Sequence, residues 1–221
     1  MSERGKYIVI EGGDGTGKST QVNMLNARLN ELGIETLVTP NADSGELEPI
    51  QEPGGTDVAN ELRRRIKDVS IPRTPWQNVE WFTEARRSNW HELINTSLEQ
   101  GVWVPTARNY YSTIAYQGYG EGISIEKIEQ YTKEYVSPRY MDPDFICVLA
   151  LKNEAVRMQR IEQRSNDSHL DTFESKPEQF QTSMQQGYIR YAEAKGVPVI
   201  DASRPKDEVF AAIWQHVKKL L

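Results

Sequence analysis

Short apolar runs alternate along the chain with segments whose apolar residues recur every three or four positions. The runs predict five strands: YIVIE (7–11), ETLVT (35–39), VWVPT (102–106), FICVLAL (145–151) and VPVI (197–200). Between the first two runs, Val22, Leu25 and Leu29 form one helical stripe. Strands that alternate with helices favour a parallel sheet covered by helices on both faces. The sequence therefore predicts one α/β domain over residues 1–221, with a parallel sheet of about five strands.

Two polar segments interrupt this alternation. PNADSGELEP (40–49) is rich in Pro, Gly and acidic residues, which favours a solvated loop, and it marks an insertion at about 40–50. QRSNDSHLDTFES (163–175) is polar and rich in turn-forming residues, so we expect a lid loop there.

Composition narrows the class of protein. The 221 residues carry a net charge of −6, which argues against a partner that is a nucleic-acid polymer. The single cysteine, Cys147, lies in an apolar run and excludes an internal disulfide framework. No apolar run approaches the roughly 20 residues of a membrane helix, and the N-terminus does not read as a signal peptide. These features predict a cytoplasmic protein without a membrane partner.

A glycine-rich motif follows the first predicted strand and opens a helix. Gly12-x4-Gly17-Lys18-Ser19 satisfies the P-loop pattern in the strand–helix context that the pattern requires. Glycines allow backbone N–H groups to point at an anion, and the helix start adds positive potential. Lys18 places a charge on the β- and γ-phosphates, and the Ser19 hydroxyl is a magnesium ligand. The motif predicts ATP and Mg²⁺ as cofactors, bound by Gly12, Gly13, Asp14, Gly15, Thr16, Gly17, Lys18, Ser19 and Thr20.

Asp14 lies inside this loop, and two interpretations of it stay open. Aspartate is common in turns for conformational reasons alone. Alternatively, its carboxylate projects over the acceptor and holds a sugar hydroxyl or a magnesium-bound water. The second interpretation makes Asp14 a catalytic, substrate-binding and metal-site candidate.

Five stretches in a fixed order resemble the thymidylate kinases, which phosphorylate dTMP with ATP. They are EGGDGTGKST, EPGGT with ELRRRI, FTEAR, ARNYYSTIAYQG and DTFE, and they extend over nearly the whole chain. The resemblance implies a P-loop kinase fold, magnesium-dependent transfer of the ATP γ-phosphoryl group to dTMP, and a role in dTDP biosynthesis. It also implies a homodimer packed through helices, for which the tryptophan-rich segment 76–99 is one candidate interface.

The resemblance assigns acceptor roles to residues that match the family motifs. Phe82 stacks on the base, and Arg86, one helical turn later, binds a base carbonyl. Arg63 and Arg108 clamp the acceptor phosphate, which suits a guanidinium fork. Tyr116 occupies the place of a ribose 2′-hydroxyl. Further implied contacts are Thr113 and Gln117 to the base edge, and Asp171 and Glu174 on the lid side.

Arg160 and Arg164 stand one helical turn apart before the predicted lid. The resemblance implies that both close over ATP and stabilise charge on the transferring phosphoryl group, as catalytic residues beside Lys18 and Arg108. Simpler interpretations remain for several candidates. Phe82 lies on a tryptophan-rich helix and suits a core, Arg63 stands in an RRR run typical of a solvated face, and Arg160 and Arg164 suit surface ion pairs.

Three departures from the family pattern bear on substrate and metal. Ala107 replaces the acid of an Asp-Arg pair, Gln51 replaces the arginine before EPGGT, and 40–49 separates that motif from the preceding strand. A nucleotide phosphate is already ionised and needs positioning more than a base, so a nucleotide kinase can tolerate Ala107. Asp14, Ser19 and Glu11 remain as protein groups for the magnesium shell.

The departures keep two alternatives open. One is a kinase for another deoxynucleoside monophosphate. The other is a nucleotide-binding homologue whose catalysis is impaired because Ala107 lacks a carboxylate.

Overall fold

In the computed structural model, the described part of the chain comprises residues 3–41, 44–151, 173 and 176–221. Six strands occur in it: β1 (Tyr7–Gly12), β2 (Thr39–Pro40), β3 (Leu47–Glu48), β4 (Val104–Ala107), β5 (Phe145–Ala150) and β6 (Val199–Asp201). β4, β1, β5 and β6 form a parallel sheet in that order, whereas β2 and β3 form a separate antiparallel hairpin. This arrangement confirms the predicted α/β fold class with a parallel sheet.

Helices connect the strands of the parallel sheet. They are α1 (Lys18–Glu31), α2 (Asp57–Lys67), α3 (Pro75–Asn89), α4 (Asn95–Glu99), α5 (Tyr110–Thr113), α6 (Ile125–Tyr135), α7 (Glu178–Ala194) and α8 (Lys206–Val217). A π-helical segment, Trp90–Ile94, joins α3 to α4, and a second, Ile114–Gly120, extends α5. Thr74 caps α3 through a capping box with Gln77, and Pro75 occupies the first turn. Within the described residues, no helix combines the length and apolarity that crossing a membrane requires.

β1 is buried over its whole length because helices cover both faces of the sheet. Its alternate residues divide the core into two clusters. Tyr7 and Val9 pack in the cluster that contains Trp90, whereas Ile8 packs with Leu25 and the other apolar residues of α1. The P-loop, which follows β1 directly, is thus fixed to a strand that is buried at every residue.

The segment 35–39 differs from its prediction as a full strand. Thr36 forms an isolated bridge to Trp103 beside the β4 edge, and Leu37 N–H donates to the Trp103 carbonyl at 2.9 Å. The chain then leaves the sheet for the β2–β3 hairpin and returns at Gln51, which bridges to Ala107. Of the second predicted strand, 35–39, only the Thr36 bridge therefore lies against the parallel sheet, and the predicted loop at 40–49 contains paired backbone at both ends.

The helix at Tyr110–Gly120 has no counterpart in the sequence prediction. Asn109 caps it by accepting from the Tyr111 N–H at 2.9 Å. The side chains that the helix buries include Tyr110, Tyr111, Ile114 and Tyr116. Aromatic and β-branched residues have low helix propensity, so tertiary packing rather than local preference accounts for this helix.

Candidate active site

The P-loop has the backbone geometry that an anion cradle needs. Gly12, Gly15 and Gly17 have φ values of 142°, 79° and 85°, a region that side chains disfavour. A Cβ at Gly12 would lie 2.3 Å from the Leu149 carbonyl oxygen, so only glycine fits between β1 and β5. Lys18 Nζ donates to the Gly13 carbonyl at 2.7 Å, which holds the ammonium group across the loop.

One cavity of about 1300 Å³ adjoins this loop and brings the predicted donor and acceptor residues together. Its lining includes the P-loop from Asp14 to Thr20 and the predicted acceptor residues Arg63, Phe82, Arg86, Arg108, Thr113, Tyr116 and Gln117. Gly12 and Gly13 lie at the base of the same loop. The cavity is therefore large enough, and suitably lined, for a nucleotide on each side of the P-loop.

Asp14 links the P-loop to the acceptor side. Its two carboxylate oxygens accept from Arg108 Nη2 at 2.5 Å and from the Tyr116 hydroxyl at 2.6 Å. Lys18 Nζ lies 3.9 Å from the same carboxylate. Two cations and a phenol thus converge on the Asp14 carboxylate.

Arg108 has a left-handed backbone, with φ 71°, which is uncommon for a residue other than glycine. Its N–H donates to the Ile10 carbonyl at 3.1 Å, and its Nη1 donates to the hydroxyls of Ser112 and Tyr188 at 3.1 Å. Burial opposes the charge, yet the Asp14 carboxylate more than offsets it and holds the pKa of Arg108 well above its usual range. The guanidinium is therefore fixed in position and permanently charged.

The predicted base pocket is built around Arg86, whose side chain is 2% exposed. Its guanidinium donates to Glu52 Oε2 at 2.9 Å, to Thr113 Oγ1 at 2.8 Å and to the Asn109 carbonyl at 2.8 Å. The Phe82 ring centroid lies 5.4 Å from the same guanidinium. The two residues therefore share one helix face and one pocket, as their spacing predicts.

Gln117 completes the polar edge of this pocket. It is fully buried, and its Oε1 has no hydrogen-bond partner among the described residues. A buried amide oxygen without a partner is costly unless a ligand satisfies it. Gln117 therefore suits a base that presents an N–H group.

Glu52 lines the same cavity and pairs with the Arg86 guanidinium. Its Oε2 also accepts from the Tyr140 hydroxyl at 2.7 Å. Burial raises the pKa of the Glu52 carboxyl to about 7, although Arg86 and Tyr140 oppose the rise.

Arg63 differs from its neighbours in the RRR run. It is half-buried and lines the cavity, whereas Arg64 and Arg65 are exposed and pair with Glu61 on the same helix. Of the three arginines, only Arg63 thus lines the cavity.

Gln51 occupies the position beside Ala107. The two residues form a parallel bridge. The Ala107 N–H donates to the Ile50 carbonyl at 2.9 Å, and the Ala107 carbonyl accepts from the Glu52 N–H at 3.0 Å. The Gln51 Oε1 accepts from the Ser19 hydroxyl at 2.7 Å. The two departures from the family pattern are therefore neighbours in space.

Comparison with known proteins shows the family of this chain. The thymidylate kinase family model matches residues 10–213. The chain belongs to the thymidylate kinase family. Curated thymidylate kinases from Prochlorococcus marinus (NATL1A) and Halothermothrix orenii are 32% and 30% identical, each over 99% of this chain and 98% and 99% of their own. This membership confirms the predicted nucleoside monophosphate kinase class.

A solved thymidylate kinase from Ehrlichia chaffeensis has the same fold. It matches with a TM-score of 0.72 and 22% identity, over 97% of this chain and 99% of that one. The likeness supports the parallel-sheet P-loop architecture described above.

Four residues of the predicted site belong to a part of the chain that the structure does not describe. Arg160, Arg164, Asp171 and Glu174 lie outside the described residues, as does the predicted lid at 163–175 apart from Phe173. Their roles therefore stay predictions.

Three site residues were missed by sequence reasoning. Ser112 and Tyr188 hold Arg108, and the Phe173 ring lies 6.0 Å from Phe82 and 5.3 Å from Tyr116. Ser112 also donates to Glu11, whose carboxylate further accepts from backbone N–H groups of Gly12 and Asn109. The Glu11 carboxylate is thus held by hydrogen bonds to neighbouring backbone and to Ser112. In the sequence, no local signal distinguishes Tyr188 from tyrosines of the core.

The P-loop donor set fits a magnesium–nucleotide complex. Magnesium in such sites keeps several waters and takes phosphate oxygens plus few protein ligands. The Ser19 hydroxyl directs its proton to Gln51, which leaves an oxygen lone pair available to the cation. Among the described residues, no group of three His, Cys, Asp or Glu side chains forms a separate metal cage. Asp14 as a second ligand stays a prediction.

Proposed function

We propose that this protein transfers the γ-phosphoryl group of ATP to the phosphate of dTMP and so forms ADP and dTDP. The observation that carries the proposal is the single cavity in which the P-loop, the Asp14–Arg108–Tyr116 cluster and the Phe82–Arg86–Gln117 pocket face one another. In this arrangement the triphosphate of ATP and the phosphate of dTMP would meet beside Lys18 and Arg108.

The reaction needs no proton abstraction from the acceptor. An ionised oxygen of the dTMP phosphate attacks the γ-phosphorus, a new P–O bond forms, and the bond to the β–γ bridging oxygen breaks as ADP leaves. Lys18 and Arg108 stabilise the charge of the transferring group, and Arg63 holds the acceptor phosphate. Mg²⁺, when bound with ATP near Ser19, would neutralise phosphate charge.

Base and sugar selection follow from the pocket. Phe82 supplies a face for stacking, and the Gln117 amide supplies a hydrogen-bond partner for the base edge. Tyr116, pinned to Asp14, would occupy the space of a ribose 2′-hydroxyl. We extend the proposal to magnesium dependence, a cytoplasmic setting and a homodimer, which the family resemblance implies.

An acceptor screen tests the proposal. Purified protein with ATP and MgCl₂ is offered dTMP, dUMP, dCMP, dGMP and ribothymidine monophosphate, and nucleoside diphosphates are separated and quantified. We expect the highest kcat/KM for dTMP. A preference for another monophosphate would identify a different acceptor, and binding of both nucleotides without ADP formation would indicate an impaired homologue.

A further inference from the structure

The Ser19 hydroxyl is hydrogen bonded to a group outside the P-loop. It donates to Gln51 Oε1 at 2.7 Å, and Gln51 Nε2 in turn donates to Glu48 Oε2 at 2.9 Å. Glu48 belongs to β3, in the hairpin that lies between the isolated bridges at Thr36 and Gln51. A carboxylate from the inserted segment is therefore connected to the P-loop through one amide.

The direction of these bonds is fixed by chemistry. An ionised carboxylate only accepts, so Gln51 must present its NH₂ to Glu48 and its oxygen to Ser19. Ser19 must then donate, which leaves its oxygen lone pairs free to face a cation. Asn41, directly after β2, donates through Nδ2 to the same Glu48 oxygen at 3.0 Å and so holds the carboxylate in place.

The Ser19–Gln51–Glu48 hydrogen bonds lie beside position 107, where the acid of the family pattern is absent. Gln51 bridges to Ala107 at the end of β4, where the family pattern places a carboxylate. Ala107 is 2% exposed and has no polar side chain to offer. Glu48 and Gln51 therefore bring polar groups to the cation side of the P-loop from the adjacent segment.

We propose that Glu48 and Gln51 are positioning residues for the magnesium–nucleotide complex: together they orient the Ser19 hydroxyl and replace the acid absent at position 107. The inference rests on the proposed function for its biological meaning, but it concerns nucleotide binding at the P-loop alone. Outer partners of metal ligands typically contribute about 10–100-fold to metal affinity.

The test measures binding rather than turnover. ADP is titrated into the protein by calorimetry with MgCl₂ and again with EDTA, and the ratio of the two dissociation constants gives the magnesium coupling. We expect Glu48→Gln to reduce this ratio by about 10-fold or more while affinity in EDTA stays the same, because the Gln51 amide is then free to flip. Gln51→Leu, which removes the acceptor for Ser19, should have a similar effect.

A matched control and an exchange variant sharpen the result. Glu46→Gln makes the same charge change on an exposed residue of the same hairpin and should leave the ratio unchanged. The double variant Glu48→Gln/Gln51→Glu reverses the pair and preserves both hydrogen bonds, so it should restore most of the coupling. Thermal unfolding checks that each variant folds.

A wild-type ratio in both Glu48→Gln and Gln51→Leu would overturn the proposal. Failure of the exchange variant to recover coupling, when it folds, would contradict the orientation argument. The outcomes are independent of the acceptor screen: a protein that makes dTDP but shows no effect of these changes refutes only this inference, whereas intact coupling without dTDP formation refutes only the proposed function.

Discussion

The P-loop and the end of β4 face the same cavity, but their geometries have different origins. The P-loop is determined locally, by three glycines with positive φ, a buried strand before it and a helix after it. The end of β4 depends on distant partners, since Gln51 lies beside Ala107 and Asp14 holds Arg108. The difference shows that a local motif can identify a nucleotide site while the groups that tune it come from elsewhere in the chain.

The largest expected effect tests the local side. Lys18→Ala removes the ammonium group held at Gly13 and should lower kcat by about 10³-fold or more, because no other P-loop cation replaces it. Steady-state ADP formation measures the loss. Near-normal turnover would show that the P-loop lysine does not stabilise the transferring group.

Asp14→Asn tests the link between the two regions. The change removes the counter-charge of Arg108 and one acceptor, and a charge-assisted bond of about 1.5–3 kcal/mol corresponds to roughly 10–100-fold in kcat/KM. Kinetics over a magnesium series will show whether Asp14 also acts near the cation. A small effect on both rate and magnesium dependence would refute its role at the site.

Arg63→Ala and Arg64→Ala form a matched pair on α2. Only Arg63 lines the cavity, so its loss should raise KM for dTMP by about 10-fold and leave KM for ATP unchanged. Arg64 is exposed, and its loss should change neither constant. Equal effects of the two substitutions would mean that the acceptor phosphate is held elsewhere.

The smallest expected effect concerns pH and Glu52. Since burial raises the pKa of this carboxyl to about 7, the folded protein retains a proton that the unfolded chain releases. The contribution of Glu52 to the free energy of unfolding, about 1–3 kcal/mol, is fully present below pH 4.5. This contribution is lost as the pH rises through about 7. Glu52→Gln should remove this slope.

Urea unfolding of both proteins at several pH values measures the slope. Parallel pH profiles for wild type and variant would contradict the assignment.

Much of the candidate site could be predicted from the sequence because the patterns that indicate it are local. Phe82 and Arg86 lie four residues apart on one helix, so a shared pocket follows from helix geometry. The motif register selected Arg63 from three adjacent arginines, and its burial agrees with that choice.

Long-range features were not readable. The sequence showed that Gln51 and Ala107 depart from the family pattern, but only the fold shows that they are neighbours. Glu48 looked like one acid of a solvated loop, because strand pairing in a two-residue hairpin leaves almost no periodic signal. The Tyr188 hydroxyl accepts from Arg108 Nη1 at 3.1 Å, a contact between residues 80 positions apart in the chain that no local pattern indicates.

A linked dinucleotide tests most directly whether one cavity holds both substrates. An adenosine and a thymidine joined through an oligophosphate should compete with ATP and with dTMP, and should bind at least about 10-fold more tightly than either nucleotide alone, because the second contact is intramolecular. Competition with only one of the two nucleotides would contradict the shared cavity and the phosphoryl transfer derived from it.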